Sequence, residues 1–83
     1  MVNDKNIILF NGHDFRFLQP IINYFREHPK YEILIDDHPG HKIVDFKKSC
    51  ELLNKSKLIF CEWALGNAEW YSKNKGQKQI LII

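Results

Sequence analysis

The sequence predicts an α/β fold built on a four-stranded parallel sheet with helices on both faces, and three observations carry that prediction. Four strand-sized apolar runs, at residues 5–10, 31–36, 58–61 and 79–83, alternate with amphipathic segments. The first and last runs are apolar at consecutive positions (Ile7, Ile8, Leu9, Phe10 and Ile80, Leu81, Ile82, Ile83), the pattern of strands covered on both faces. The order β-α-β-α-β-α-β, joined by right-handed crossovers, then makes the sheet parallel.

Each element has its own local signal. After the first strand, Phe15, Leu18, Ile22 and Phe25 recur at helical spacing, with Ile21 beside them, Asp14 as the expected N-cap and Pro29 past the end. Pro20 falls either early in a helix starting near Phe17 or at a kink in a longer one. After the second strand, Ile43, Phe46, Cys50 and Leu53 form an apolar stripe, with Lys47, Lys48 and Glu51 outside. Residues 64–76 predict a short helix carrying Trp70 and Tyr71, preceded by an irregular turn at Gly66 and Asn67. The chain stops on its most apolar strand, which predicts that it is a single-domain fragment of a longer protein, residues 1–83 forming part of one domain.

Composition narrows the function. With 83 residues the chain supports one small domain, too small to hold a roomy catalytic cavity on its own. A hydrophobic fraction of 45% argues against disorder, and the apolar runs are far too short to span a bilayer. No secretory signal is visible at residues 1–6, which predicts a cytoplasmic location. The two cysteines, Cys50 and Cys61, are expected to be free thiols, Cys61 acting as a small buried hydrophobe. A net charge of +2, with acidic residues interleaved throughout, makes no basic stripe for nucleic acid.

Ligands of open α/β sheets bind outside the carboxyl ends of the strands, so the loops leaving the strands are the places to look. The first, Asn11-Gly12-His13-Asp14, has neither a dinucleotide fingerprint nor a phosphate loop. Gly12 permits either a sharp turn or a close approach, and His13 is a candidate base with a near-neutral imidazole, or else a residue of the turn. In the second loop Asp36, Asp37, His38 and His41 invite a metal reading. His-x-x-His on a Pro-Gly turn lacks zincin spacing, however, and ordinary loop and cap roles are the expectation, with no metal and no cofactor. In the third, Glu62 at a strand end needs a partner. Trp63 and Trp70 offer either stacking faces or core filling, and Asn67 supplies orienting hydrogen bonds.

Asn11-Gly12-His13-Asp14-Phe15, Asp37-His38-Pro39-Gly40-His41 and, most specifically, the run from Cys61 to Ser72 (CEWALGNAEWYS) resemble the amino-terminal part of bacterial B-type glycosyltransferases. That resemblance covers nearly the whole chain. It implies a Rossmann-like fold and the acceptor-side lobe of a two-lobed enzyme that moves a sugar from a nucleotide-sugar donor to an acceptor hydroxyl. The acceptor would be a surface glycan or a lipid-linked precursor, which opens the membrane surface to the full-length protein. The implied site is His13 as base, with Gly12, His41, Glu62, Trp63 and Asn67 binding substrate. The C-terminal donor-binding lobe is missing, so the chain alone is expected to be inactive.

Two other classes fit the alternating pattern: a flavodoxin-like or receiver-type binding module, and a self-associating scaffold. A receiver needs paired carboxylates after the first strand and an aspartate after the third, where this chain has Asn11-Gly12 and Glu62. The uncovered terminal strand predicts a homo-oligomer of the isolated piece.

Overall fold

The structure, a computed structural model, describes residues 6–38, 43–63 and 65–83. It is a Rossmann-like α/β fold with the elements β1 (Asn6–Gly12), α1 (Gln19–Arg26), β2 (Tyr31–Asp37), α2 (Phe46–Lys55), β3 (Leu58–Cys61), α3 (Gly66–Asn74) and β4 (Gln79–Ile82). All strand pairs are parallel and the order is β2-β1-β3-β4.

This order and the right-handed crossover rule together distribute the helices. The step from β1 to β2 runs one way across the sheet, while those from β2 to β3 and from β3 to β4 run the other, so α1 covers one face and α2 and α3 the opposite one. The two cores follow suit. Ile8, Phe10 and Phe60 pack under Leu18 and Ile22 of the α1 segment, and Leu9, Ile59 and Cys61 pack under Leu53, Ala68 and Tyr71. Alternate residues of β1 therefore feed different cores, which is why its apolar positions are consecutive.

Four local expectations change. Asp14 does not cap α1. Its Oδ1 accepts from Arg16 N at 3.0 Å within a turn, and the helix opens three residues after that bond, with Leu18 at the N-cap and Pro20 in the first turn, where the missing N–H is harmless. The inward line of α2 is Ser49 and Leu53, with Phe46 and Cys50 exposed. Asp45 caps the helix through Lys48 N at 3.0 Å, and the polar Ser49 turns inward because a buried carboxylate awaits it there. Helix α3 begins at Gly66 itself, so Gly66 and Asn67 belong to the helix and not to a preceding turn. Finally, β4 is not covered on both faces. Ile80 packs into the α2–α3 core, but Leu81 is 47% exposed, because α1 leans toward β2 and leaves that side of β4 without a helix among the described residues.

Candidate functional site

The strand order reverses direction between β1 and β3, so the crevice of this sheet lies beyond the carboxyl ends of those two strands. The register brings Asp36, Asn11, Cys61 and Ile82 into one row across the sheet. The ladder continues one step further: Glu62 N donates to Asn11 O at 3.0 Å and His38 N to Gly12 O at 2.9 Å. Polar side chains of this rim separate by parity onto the two faces of the sheet.

On the α1 face lie Gly12 and Glu62. A methyl group on Gly12 would stand 2.9 Å from Glu62 Cβ, so the glycine is there to admit the glutamate and not to make a turn. Glu62 is fully buried; its Oε2 accepts from Phe17 N at 3.3 Å, and Oε1 has no hydrogen-bond partner among the described residues. Trp63, next in the chain, takes a left-handed backbone (φ 66°), a conformation that costs a bulky residue about 1–2 kcal/mol and must be held by its surroundings. Its N–H donates to Ile83 O at 2.7 Å, and its ring meets that of Phe17 edge-on at 5.9 Å. With the indole 47% exposed, Trp63 is a surface aromatic at the rim and not core filling.

On the other face Asn67 ties the loop down. Its Nδ2 donates to Asn11 Oδ1 at 3.0 Å and to Glu62 O at 3.1 Å, while its own buried Oδ1 has no partner among the described residues. Asn11 in turn donates to Phe60 O at 3.0 Å and Cys61 Sγ at 3.1 Å. Burial, opposed by the Asn11 amide, pushes the Cys61 thiol up to about 11, so it stays protonated and unreactive near neutral pH.

His13 is exposed, just past β1, and its Nδ1 lies 2.9 Å from the backbone oxygen of His38. A carbonyl only accepts, so Nδ1 carries the proton and the lone pair of the neutral ring sits on Nε2. The contact also pins the β1 loop to the β2 loop. His41 lies outside the described residues.

One cluster was not legible as a unit. Asp36 is fully buried and takes hydrogen bonds at Oδ2 from Ser49 Oγ at 2.6 Å and from Tyr71 Oη, with Lys48 Nζ 3.2 Å from Oδ1. Burial, reinforced by Asp36, holds the Tyr71 phenol far above its ordinary range. His38 Nε2 lies 3.4 Å from Asp36 Oδ2. Asp36 and His38, suggested by their spacing as metal ligands, are thus committed to α2 and α3. Among the described residues no group of three or more His, Cys, Asp or Glu is placed to hold a metal ion.

Burial lowers the pKa of His38, and outweighs the attraction of Asp36 and Asp37 while Lys48 adds to the lowering. The ring is therefore neutral in the fold, and the unfolded chain binds the proton more readily. Stability is complete above the ordinary histidine value of 6.5 and declines as the pH falls below it through the lower folded value. Thermal melts between pH 7.5 and 5 are expected to show this decline, with a flatter curve for His38→Gln; parallel curves for the two proteins would remove His38 as its source.

No family model, no curated protein and no solved structure matches this chain. The rim has two buried acceptor oxygens lacking donors among the described residues, an exposed indole, and His13 just past β1 at the same rim. Such a set suits a ligand rich in hydroxyl groups. Among the described residues no helix is long and apolar enough to cross a membrane.

Proposed function

We propose that the chain is the acceptor-side lobe of a B-type glycosyltransferase, and that a donor-binding lobe supplied by the rest of the protein closes over the carboxyl rim of the sheet. The observation that carries this reading is Glu62: a fully buried carboxylate with one oxygen lacking a donor, seated where the strand order reverses. An unmatched buried acceptor costs on the order of 1–3 kcal/mol and is kept where a ligand completes it. A sugar stacked on Trp63 and donating one hydroxyl to Glu62 Oε1 would be oriented for attack.

In the proposed reaction His13 Nε2 takes the proton of the acceptor hydroxyl as its oxygen bonds to the anomeric carbon, and the nucleoside diphosphate leaves with the electrons of the broken glycosidic bond. His38 O, by holding Nδ1–H, keeps the lone pair on Nε2. The donor lobe brings the nucleotide sugar and the groups that neutralise its diphosphate. Such an enzyme acts in the cytoplasm, at the membrane surface where its acceptor is lipid-linked.

Backbone amide spectra of the chain titrated with neutral saccharides and, separately, with a nucleotide sugar test the proposal. Saccharides are expected to shift Gly12, Glu62 and Trp63, and the nucleotide sugar to shift them no more than its free sugar does. Stronger binding of the nucleotide at the Gly12 loop, or phosphorylation by acetyl phosphate as in a receiver module, would overturn it.

A further inference from the structure

We propose that the chain carries a second carbohydrate subsite, in a groove of about 380 Å³ between the amino ends of α2 and α3, and that it holds an uncharged sugar ring of the acceptor beyond the one that reacts. This rests on the glycosyltransferase reading above and extends it: the acceptor is an oligosaccharide rather than a lone sugar or a simple alcohol.

The groove is lined by Ile43, Phe46, Gly66, Glu69, Trp70 and Lys73. Phe46 and Trp70 touch each other, with ring centroids 6.3 Å apart and planes inclined by 48°, and form one continuous apolar side of the groove. Phe46 is 57% exposed, which its position as the first residue of α2 does not require. Trp70 is partly buried, packed against the α2–α3 core and edge-on to Tyr71 at 4.9 Å. A pyranose presents a C–H face to such a side and a ring of hydroxyls at its edge.

One turn apart on α3, Glu69 Oε2 and Lys73 Nζ lie 3.6 Å from each other at the solvent side of the groove. Together they offer an acceptor and donors to vicinal hydroxyls while summing to zero charge, so the lining favours a neutral sugar over a phosphate or a nucleotide. Gly66 contributes no side chain to the wall and lies four residues past Glu62. Both helices begin at the carboxyl end of the sheet, so the groove opens at the same edge as the proposed reactive corner, on the opposite face of the sheet from Gly12 and Glu62.

The test uses the whole chain and a panel of neutral hexose and N-acetylhexosamine tetrasaccharides with their monosaccharides, read at the two indole N–H resonances and by affinity. Tetrasaccharides are expected to shift both Trp63 and Trp70 and to bind more tightly than monosaccharides. Phe46→Ser, a change at an exposed position, is expected to weaken tetrasaccharide binding about tenfold while leaving monosaccharide shifts at Trp63 unaltered. Shifts at Trp63 alone, or an unchanged affinity in Phe46→Ser, would overturn the groove and leave the glycosyltransferase reading standing. Shifts at Trp70 alone would keep the groove as a sugar site and remove the rim as the acceptor corner, and no shift at either would overturn both. Shifts at Phe46 and Trp70 that appear on concentrating the protein without saccharide would assign the groove to a second copy of the chain and overturn the proposal.

Discussion

Asp36→Ala is expected to remove about 3–5 kcal/mol of stability, the usual consequence of deleting one partner from a buried charged cluster. The loss is large because four groups converge on this carboxylate: Ser49, Tyr71, His38 and Lys48. Three of them are buried, so removing Asp36 leaves the Ser49 and Tyr71 hydroxyls without their acceptor and adds a cavity between β2, α2 and α3. A domain of this size has about 4–12 kcal/mol in total, so the variant should lose a large share of its stability. Asp36→Asn keeps an oxygen for one hydroxyl and should fall between, while Tyr71→Phe removes one donor and should cost only about 1 kcal/mol. Urea unfolding followed by tryptophan fluorescence would rank the three. An Asp36→Ala midpoint close to that of the parent protein would show that the cluster is not a structural node.

If the proposed glycosyltransferase reading holds, His13→Ala in the chain combined with the proposed donor-binding lobe is expected to slow sugar transfer about 10²- to 10⁴-fold, the usual contribution of a positioned general base. The effect should fall on kcat. His13→Asn separates this role from a structural one. The asparagine amide can still donate toward His38 O and so pin the two loops, but it cannot take a proton at neutral pH. If Asn restored most of the rate, His13 would be a loop fastener and the base would lie elsewhere. A variant within a few-fold of the parent in both substitutions would take His13 out of the chemistry altogether.

The fold was legible because the strands advertise themselves in short range. The consecutive Ile7, Ile8, Leu9 and Phe10 require a cover on each face, and the structure puts Leu9 under α2 and α3 and Phe10 under α1. The candidate corner was legible in part for a similar reason. Parallel strands place all their outgoing loops at one edge, so Gly12, His13, Glu62, Trp63 and Asn67 could be gathered without coordinates. The α2 face was misjudged because hydrophobic periodicity cannot foresee a serine turned inward by a carboxylate 13 residues away in sequence. Asp14 looked like a cap because its residue type suits one, but the same oxygen is equally at home in the turn it makes with Arg16.

What the chain by itself determined is the class of fold, the parallel sense of the sheet and the edge at which polar residues collect, because apolar runs, turn residues and crossover handedness are all properties of neighbours along the chain. Tertiary structure alone decided that Gly12 makes room for Glu62, that Asp36 serves Tyr71 and Ser49 instead of solvent, and that the rings of Phe46 and Trp70 meet at the side of a groove. Each of those depends on residues tens of positions apart meeting with a set parity and register, and no local pattern encodes such a meeting.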